Sequence, residues 1–290
     1  MDELEEINNK LYMPTHHEKA IISKYESNMN FALSVHKNGF HNMGYWADGP
    51  ESFDSASKAL FDFVVSSLED DAKECVLDVG AGFGATTISL SDEHKCKNVF
   101  GIDVSYSQVE YARKRHEKIG ANNNVYFQQM SATEMQFDDD VFDSVIAIDC
   151  AIHFNDRVKF LDEANRVLKK GGYLIIADAC VNKIPSSYFK RSVVKALLKM
   201  WCVPESNVYG ISDYRNKIIE TGFETIVENS IADKVWRPAS EFVMSNKFKD
   251  FVLESNDLGK YYLLKAMFKY LNKGYEEGLL DFVIYKARKI

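Results

Sequence analysis

No stretch of this chain restricts its fold more than "CVLDVGAGFGATTISL", residues 75–90. A short apolar run carrying one acid, Asp78, leads straight into Gly80, Gly82 and Gly84 at alternate positions, and then into a helical pattern. Each glycine adds an entropy cost on folding, so three together mark either a loose turn or a backbone that must approach a ligand. The flanking sequence bears on that choice. Short apolar runs ("CVLDVG", "NVFGIDVS", "VYFQQM", "FDSVIAID", "GYLIIAD") alternate with helical stretches such as "QVEYARKRHEKIG" and "RVKFLDEANRVLKK". Strands that apolar are buried on both faces, and their alternation with helices predicts an α/β, doubly wound, parallel sheet. The glycine turn then lies at the carboxyl edge of the first strand, where such sheets bind ligands and a helix N-terminus favours polar groups.

The rest of the chain divides by texture. Residues 1–70 read as an N-terminal helical cap. In it "SFDSASKALFDFVVSSLEDD" sets Ala56, Ala59, Leu60, Phe63, Val64 and Leu68 on one stripe, with Ser52 or Asp54 at its start. Residues 71–180 form the ligand-binding core, and "KKGGY" marks a helix stop before its fifth strand. Residues 181–209 read as a helical lid insertion, with Lys190, Arg191, Lys195 and Lys199 on the polar side of an amphipathic helix. Residues 210–290 complete the core. They hold a strand at "GFETIVENSI", an aromatic-rich helical segment from about Ala239 to Lys273, and a last strand at "LLDFVIYKARK".

A net charge of -8 argues against nucleic acid as the main partner. No apolar run reaches the ~20 residues of a membrane span. The acidic N-terminus does not read as a secretory signal, so the cytoplasm is the expected compartment, without stable membrane association. The five cysteines stand far apart and show no metal-ligand spacing, so they read as buried thiols and no metal is implied. Oligomeric state is not legible.

Gly80 to Ala85 also satisfies G-x-G-x-x-G/A, and Asp103, ending "GID", is placed to take ribose hydroxyls. A nicotinamide oxidoreductase would carry both, so these two features leave the cofactor open. With "FDSVIAIDCAIHF" and "ANRVLKKGGYLIIAD" following in order, however, the stretch from Cys75 to Asp178 resembles the class I S-adenosylmethionine-dependent methyltransferases, within them the small-molecule and sugar O-methyltransferases. That resemblance implies a Rossmann-like seven-stranded sheet with an antiparallel last strand, and S-adenosyl-L-methionine as cofactor. It also implies roles: Gly80, Gly82 and Gly84 along the methionine part, Asp78 at that turn, Asp103 on the ribose and Val104 against adenine. Ser131 and Ala132 fall where the family carries an acid and a small residue, and Ser131 departs from the acid.

Methyl transfer to a hydroxyl or ammonium needs a proton acceptor. His153 ends "IDCAIHF" at the ligand edge and titrates near neutrality. Asp178 ends the neighbouring strand, and together they resemble the His and Asp that act in proton removal in the O-methyltransferases. Asp149, four residues before His153, borders cofactor and acceptor alike; D-x-x-x-H also resembles phosphoethanolamine N-methyltransferases, which keeps an amine acceptor open. Tyr45 and Trp46 in "FHNMGYWADG", with Tyr25 and His41 behind them, read equally as a wall of the substrate site or as packing between cap and sheet. The expected acceptor is a small molecule. A non-catalytic cofactor-binding module is the remaining alternative.

Overall fold

In the computed structural model, the structure describes residues 12–47, 49, 51–120, 124–184, 187–254 and 258–290. Its centre is one seven-stranded sheet: β1 Cys75–Val79, β2 Asn98–Asp103, β3 Val125–Gln129, β4 Phe142–Ile148, β5 Leu168–Val181, β6 Phe223–Ser230 and β7 Leu280–Lys289. The strand order is β3-β2-β1-β4-β5-β7-β6. Strands β1 to β5 pair in parallel, and β7 runs antiparallel to both β5 and β6. The order reverses between β1 and β4, so a crevice opens beyond their carboxyl ends, where Asp78 and Asp149 stand.

Both faces of the sheet are dry, as the continuous apolar runs require. On one face Ile146, Ile175, Ala177 and Phe282 pack against Leu60, Phe61 and Val64. On the other Leu77, Val145, Ile176 and Tyr285 pack against Phe160, Leu161 and Tyr214. Period-two alternation along β4 and β5 therefore feeds two cores at once.

The helices that cover these faces are α1 His16–Val35, α2 Phe53–Val65, α3 Ala85–Asp92, α4 Tyr106–Ile119 and α5 Arg157–Val167. After β5 come α6 Tyr188–Met200 and α7 Ile211–Glu220, then α8 Ala232–Met244, α9 Asn246–Glu254 and α10 Leu258–Glu276. Thr15 and Glu18 close a capping box on α1, and Ser52 and Ser55 close one on α2. Asp54 instead accepts from the backbone of Asn38, so the choice of cap falls to Ser52. Two expectations shift. The single helical segment from Ala239 to Lys273 is three helices that begin earlier, at Ala232. And β5 starts at Leu168, directly after α5, with Gly171 inside it at a φ of 80°. No helix among the described residues is long and apolar enough to cross a membrane.

Candidate active site

The glycine turn leaves β1 with Gly80, Gly82 and Gly84 all in the left-handed region, at φ 76°, 53° and 81°. At Gly80 a Cβ would lie 2.8 Å from the Cβ of Cys150, so the turn lies against the end of β4. At Gly82 the nearest atom to such a Cβ is 3.6 Å away, and the bare backbone borders an open cleft instead. The turn is thus close-packed beneath and free above, which is what a ligand-approaching loop needs. Asp103, at the end of β2, pins it: one carboxylate oxygen accepts from the Gly82 amide at 3.0 Å and the other from the Ser105 amide at 2.9 Å. Asp78 is buried under the turn and accepts from the Thr87 hydroxyl at 2.6 Å. Burial pushes its carboxyl up to about 7, against the opposing hydrogen bond from Thr87.

Val104, Ser131 and Ala132 line the same cleft, as do Ile102 and Met130. The Ser131 hydroxyl donates to Glu18, at 2.6 Å. A buried carboxylate from α1 therefore stands where Ser131 departs from the family's acid. Glu18 carried one signal in the sequence, the Thr15-x-x-Glu18 box, which speaks of capping and not of the site.

The other half of the cleft comes from the end of β4. Asp149 adopts a φ of 54°. Its amide donates to the carbonyl of Ala177, and its carboxylate accepts from the Met43 amide at 2.7 Å. A left-handed aspartate costs of order 1 kcal/mol and here turns the chain back over the sheet. Burial, together with the nearby charge of Asp178, pushes the Asp149 carboxyl up to about 8. A single 3-10 turn, Ala151–His153, follows. His153 is 8% exposed, and burial drives its imidazole down to about 3, so it is neutral at physiological pH. Its Nδ1 is buried without a hydrogen-bond partner among the described residues. The ring stacks parallel to Trp201 at 6.5 Å, and Tyr25 meets it edge-on at 6.1 Å. Tyr25 also meets His41 edge-on, and His41 stacks on Phe83 of the glycine turn.

Two further cavities, both mostly walled by apolar side chains, open beside the cleft. One runs between α6, α8 and α10, the other between α1, α9 and α10, and all three spaces share Asp149 and His153.

Two site expectations need correction. Asp178 does not meet His153. It is fully buried and ion-paired to Arg157, at 2.8 Å, and it accepts from the amides of Ile152 and Ala179. Arg157, the first residue of α5, reaches the carboxylate first and is itself held by the carbonyls of Ala179 and Asn207 and by the faces of Tyr214 and Tyr209. Asp178 thereby holds the turn that carries His153 and leaves the imidazole alone. Nor do Tyr45 and Trp46 line the cleft. Trp46 packs on Phe53 and Phe242 with its indole N–H donating to Met43, while Tyr45 stacks on Phe63. They are the hinge of cap on C-terminal helices, the packing side of the expectation. Residues with no local signal are Arg157, Asn207, whose side chain donates to the carbonyls of Ile152 and Phe154, and Trp201.

A parallel sheet with a reversed last strand, a glycine turn over a buried acid and a second acid at the next strand end define the class I S-adenosylmethionine-dependent methyltransferases. Comparison with known proteins agrees. Residues 77–176 match the methyltransferase domain family. An O-methyltransferase of Aspergillus nomiae is 34% identical over 198 residues, covering 67% of this chain and 85% of that protein. The erythromycin 3''-O-methyltransferase of Saccharopolyspora erythraea is 28% identical over 254 residues, 86% of this chain and 83% of the other. In fold, the geranyl diphosphate C-methyltransferase of Streptomyces coelicolor, solved with S-adenosyl-L-homocysteine, aligns at a TM-score of 0.74 and 16% identity over 97% of this chain and 100% of that one. The chain belongs to the methyltransferase family and is an S-adenosylmethionine-dependent enzyme acting on small molecules. The nicotinamide and non-catalytic readings give way to this assignment. The cleft fits the cofactor: an unobstructed backbone at Gly82, carboxylates for hydroxyl and ammonium groups, and an apolar slot at Ile102, Val104 and Met130.

Proposed function

We propose that the protein methylates a hydroxyl oxygen of a small molecule, and that His153 receives the hydroxyl proton. One observation carries this reading: the cofactor cleft and both apolar cavities converge on His153 and Asp149. Asp103 takes the ribose, Val104 and Ala132 lie against the adenine, and the backbone from Gly80 to Gly84 follows the methionine part. Asp78, held near neutrality, sits under that end. Bound S-adenosylmethionine supplies an electrophilic methyl group. This chain supplies alignment, a dry pocket and the proton acceptor. A neutral imidazole can take up the proton without first losing one of its own. Asp178, through the Ile152 amide, keeps the imidazole's turn in place, and Asp149 orients the hydroxyl. Relatives named as O-methyltransferases favour oxygen over nitrogen.

The test is a methyl-label transfer screen against uncharged hydroxyl and amine acceptors, followed by pH–rate profiles. Label should enter hydroxyls, and kcat should stay level from pH 5 to 6, where His153 is unprotonated and Asp78 and Asp149 are both uncharged. His153→Ala should cut kcat by about 10²-fold or more while affinity for S-adenosylhomocysteine holds. Label entering amines alone would refute the oxygen assignment. A kcat that climbs with pH up to about 8 would move proton removal to Asp149.

A further inference from the structure

Helix α1 turns an unusual residue inward. Of its 20 residues only Glu18, Ile21 and Ala32 are buried. Glu18, Ile21 and Tyr25, spaced by three and four, share one face of the helix and line the cofactor cleft. A carboxylate on a buried face is costly unless it is hydrogen-bonded, and Glu18 is 4% exposed. Capping does not require that burial, because the Ser52–Ser55 box that opens α2 is exposed.

Glu18 makes two bonds within the protein. One carboxylate oxygen accepts from the Ser131 hydroxyl at 2.6 Å and the other from the Thr15 amide at 2.8 Å. A carboxylate offers about four lone-pair positions, so about two stay open. The Ser131 hydroxyl spends its hydrogen on Glu18, and its oxygen takes the Thr133 amide at 3.2 Å. Met130, Ser131 and Ala132 line the cleft beside Glu18, together with Ile102 and Val104. Among the described residues the cleft has three other carboxylates, and each is engaged elsewhere. Asp78 lies under the glycine turn, Asp103 holds Gly82 and Ser105, and Asp149 holds Met43.

We infer that Glu18 reads the adenine of the cofactor by accepting a hydrogen bond from its exocyclic 6-amino group, in the place where Ser131 offers no acid. With the base against Val104 and Ala132, that amino group is the donor the base carries, and Glu18 is the charged acceptor bordering the slot. Helix α1 is then part of the cofactor site as well as its cover. The inference rests on the placement of the nucleoside given above, which Asp103→Ala tests separately, and is independent of the methyl acceptor.

The experiment is calorimetric titration with S-adenosylhomocysteine and with its 6-deamino analogue, in which hydrogen replaces the amino group. Wild type should bind the parent at least about tenfold more tightly. Glu18→Met keeps the length of the side chain and removes both acceptor oxygens. It should weaken the parent by about tenfold and leave the analogue within about twofold, bringing the two affinities together. Glu18→Gln keeps the capping box and one acceptor oxygen, and its preference should fall by about threefold or more. That variant decides the matter if Glu18→Met binds neither compound. Equal binding by wild type, a preference that survives both substitutions, or a loss shared equally by parent and analogue would each overturn the proposal. The last result would make Glu18 a structural residue of α1. Failure of S-adenosylhomocysteine to bind wild type would refute the cofactor placement, and this inference with it.

Discussion

Replacing Arg157 by Met tests the most consequential contact that no local pattern announces. Arg157 and Asp178 are both wholly buried, and their ion pair spans 2.8 Å. Removing the guanidinium leaves a carboxylate with two backbone amides and nowhere to shed charge. The carboxyl then escapes by taking up a proton. At pH 7 that costs about 4 kcal/mol relative to an unfolded aspartate of pKa ~3.9, and at pH 5 only about 1.5 kcal/mol. Hydrogen bonds lost from Arg157 to the carbonyls of Ala179 and Asn207 add roughly 1–2 kcal/mol at either pH. The pH 7 total, about 5 kcal/mol, agrees with what breaking a buried ion pair usually costs. The sign is fixed: a carboxyl raised in the folded state gives stability that is present at low pH and lost as pH rises. Denaturant unfolding of wild type and Arg157→Met, at pH 5 and pH 7, should therefore show a larger deficit at pH 7, by at most about 3 kcal/mol, because burial already raises the Asp178 carboxyl in the wild type. Adding Asp178→Asn should erase that difference. A deficit that is the same at both pH values, or below about 1 kcal/mol at pH 7, would refute the claim that Arg157 balances a buried charge.

Two further outcomes follow from the glycine turn. Asp103→Ala removes two charge-assisted bonds to the amides of Gly82 and Ser105 as well as the expected ribose contact, so affinity for S-adenosylhomocysteine should fall about 100-fold or more by calorimetry. Unchanged affinity would remove Asp103 from the cofactor. Gly80→Ala meets both a left-handed backbone and the Cβ of Cys150, and should cost about 2–3 kcal/mol in denaturant unfolding. Cys150→Ala should relieve only the part due to the sulfur, which lies 2.9 Å from that Cβ, whereas Cys150→Gly should recover the whole steric part.

What was legible before any coordinates was short-range. Alternation of apolar and polar residues over five to eight positions encodes a strand, and spacing of three and four encodes a helix, because each depends on neighbours along the chain. Hence the seven strands and the glycine turn could be read directly and the cap of α2 narrowed to Ser52 or Asp54, while the reversed β7 came from the family resemblance. The positions of Asp103, Asp149 and His153 followed too, since a strand end in such a sheet is a place in space as well as in sequence. Partner choice was not legible. Asp178 and His153 end adjacent strands, and nothing in either segment says that Arg157 will take the carboxylate. Likewise "GYW" reads the same whether its rings face a ligand or Phe53, Phe63 and Phe242.

The sequence alone therefore determined the strands and the order of the motifs and, through the family resemblance, the cofactor. Tertiary structure decided which groups are ionised and which are free. Glu18 meets Ser131 from 113 residues away, and Met43 caps Asp149 from 106. The neutrality of His153 and Asp149 comes from burial by α1, the loop after it and the helices beyond β5. Desolvation depends on everything packed around a group, and that is set only when distant segments close over it.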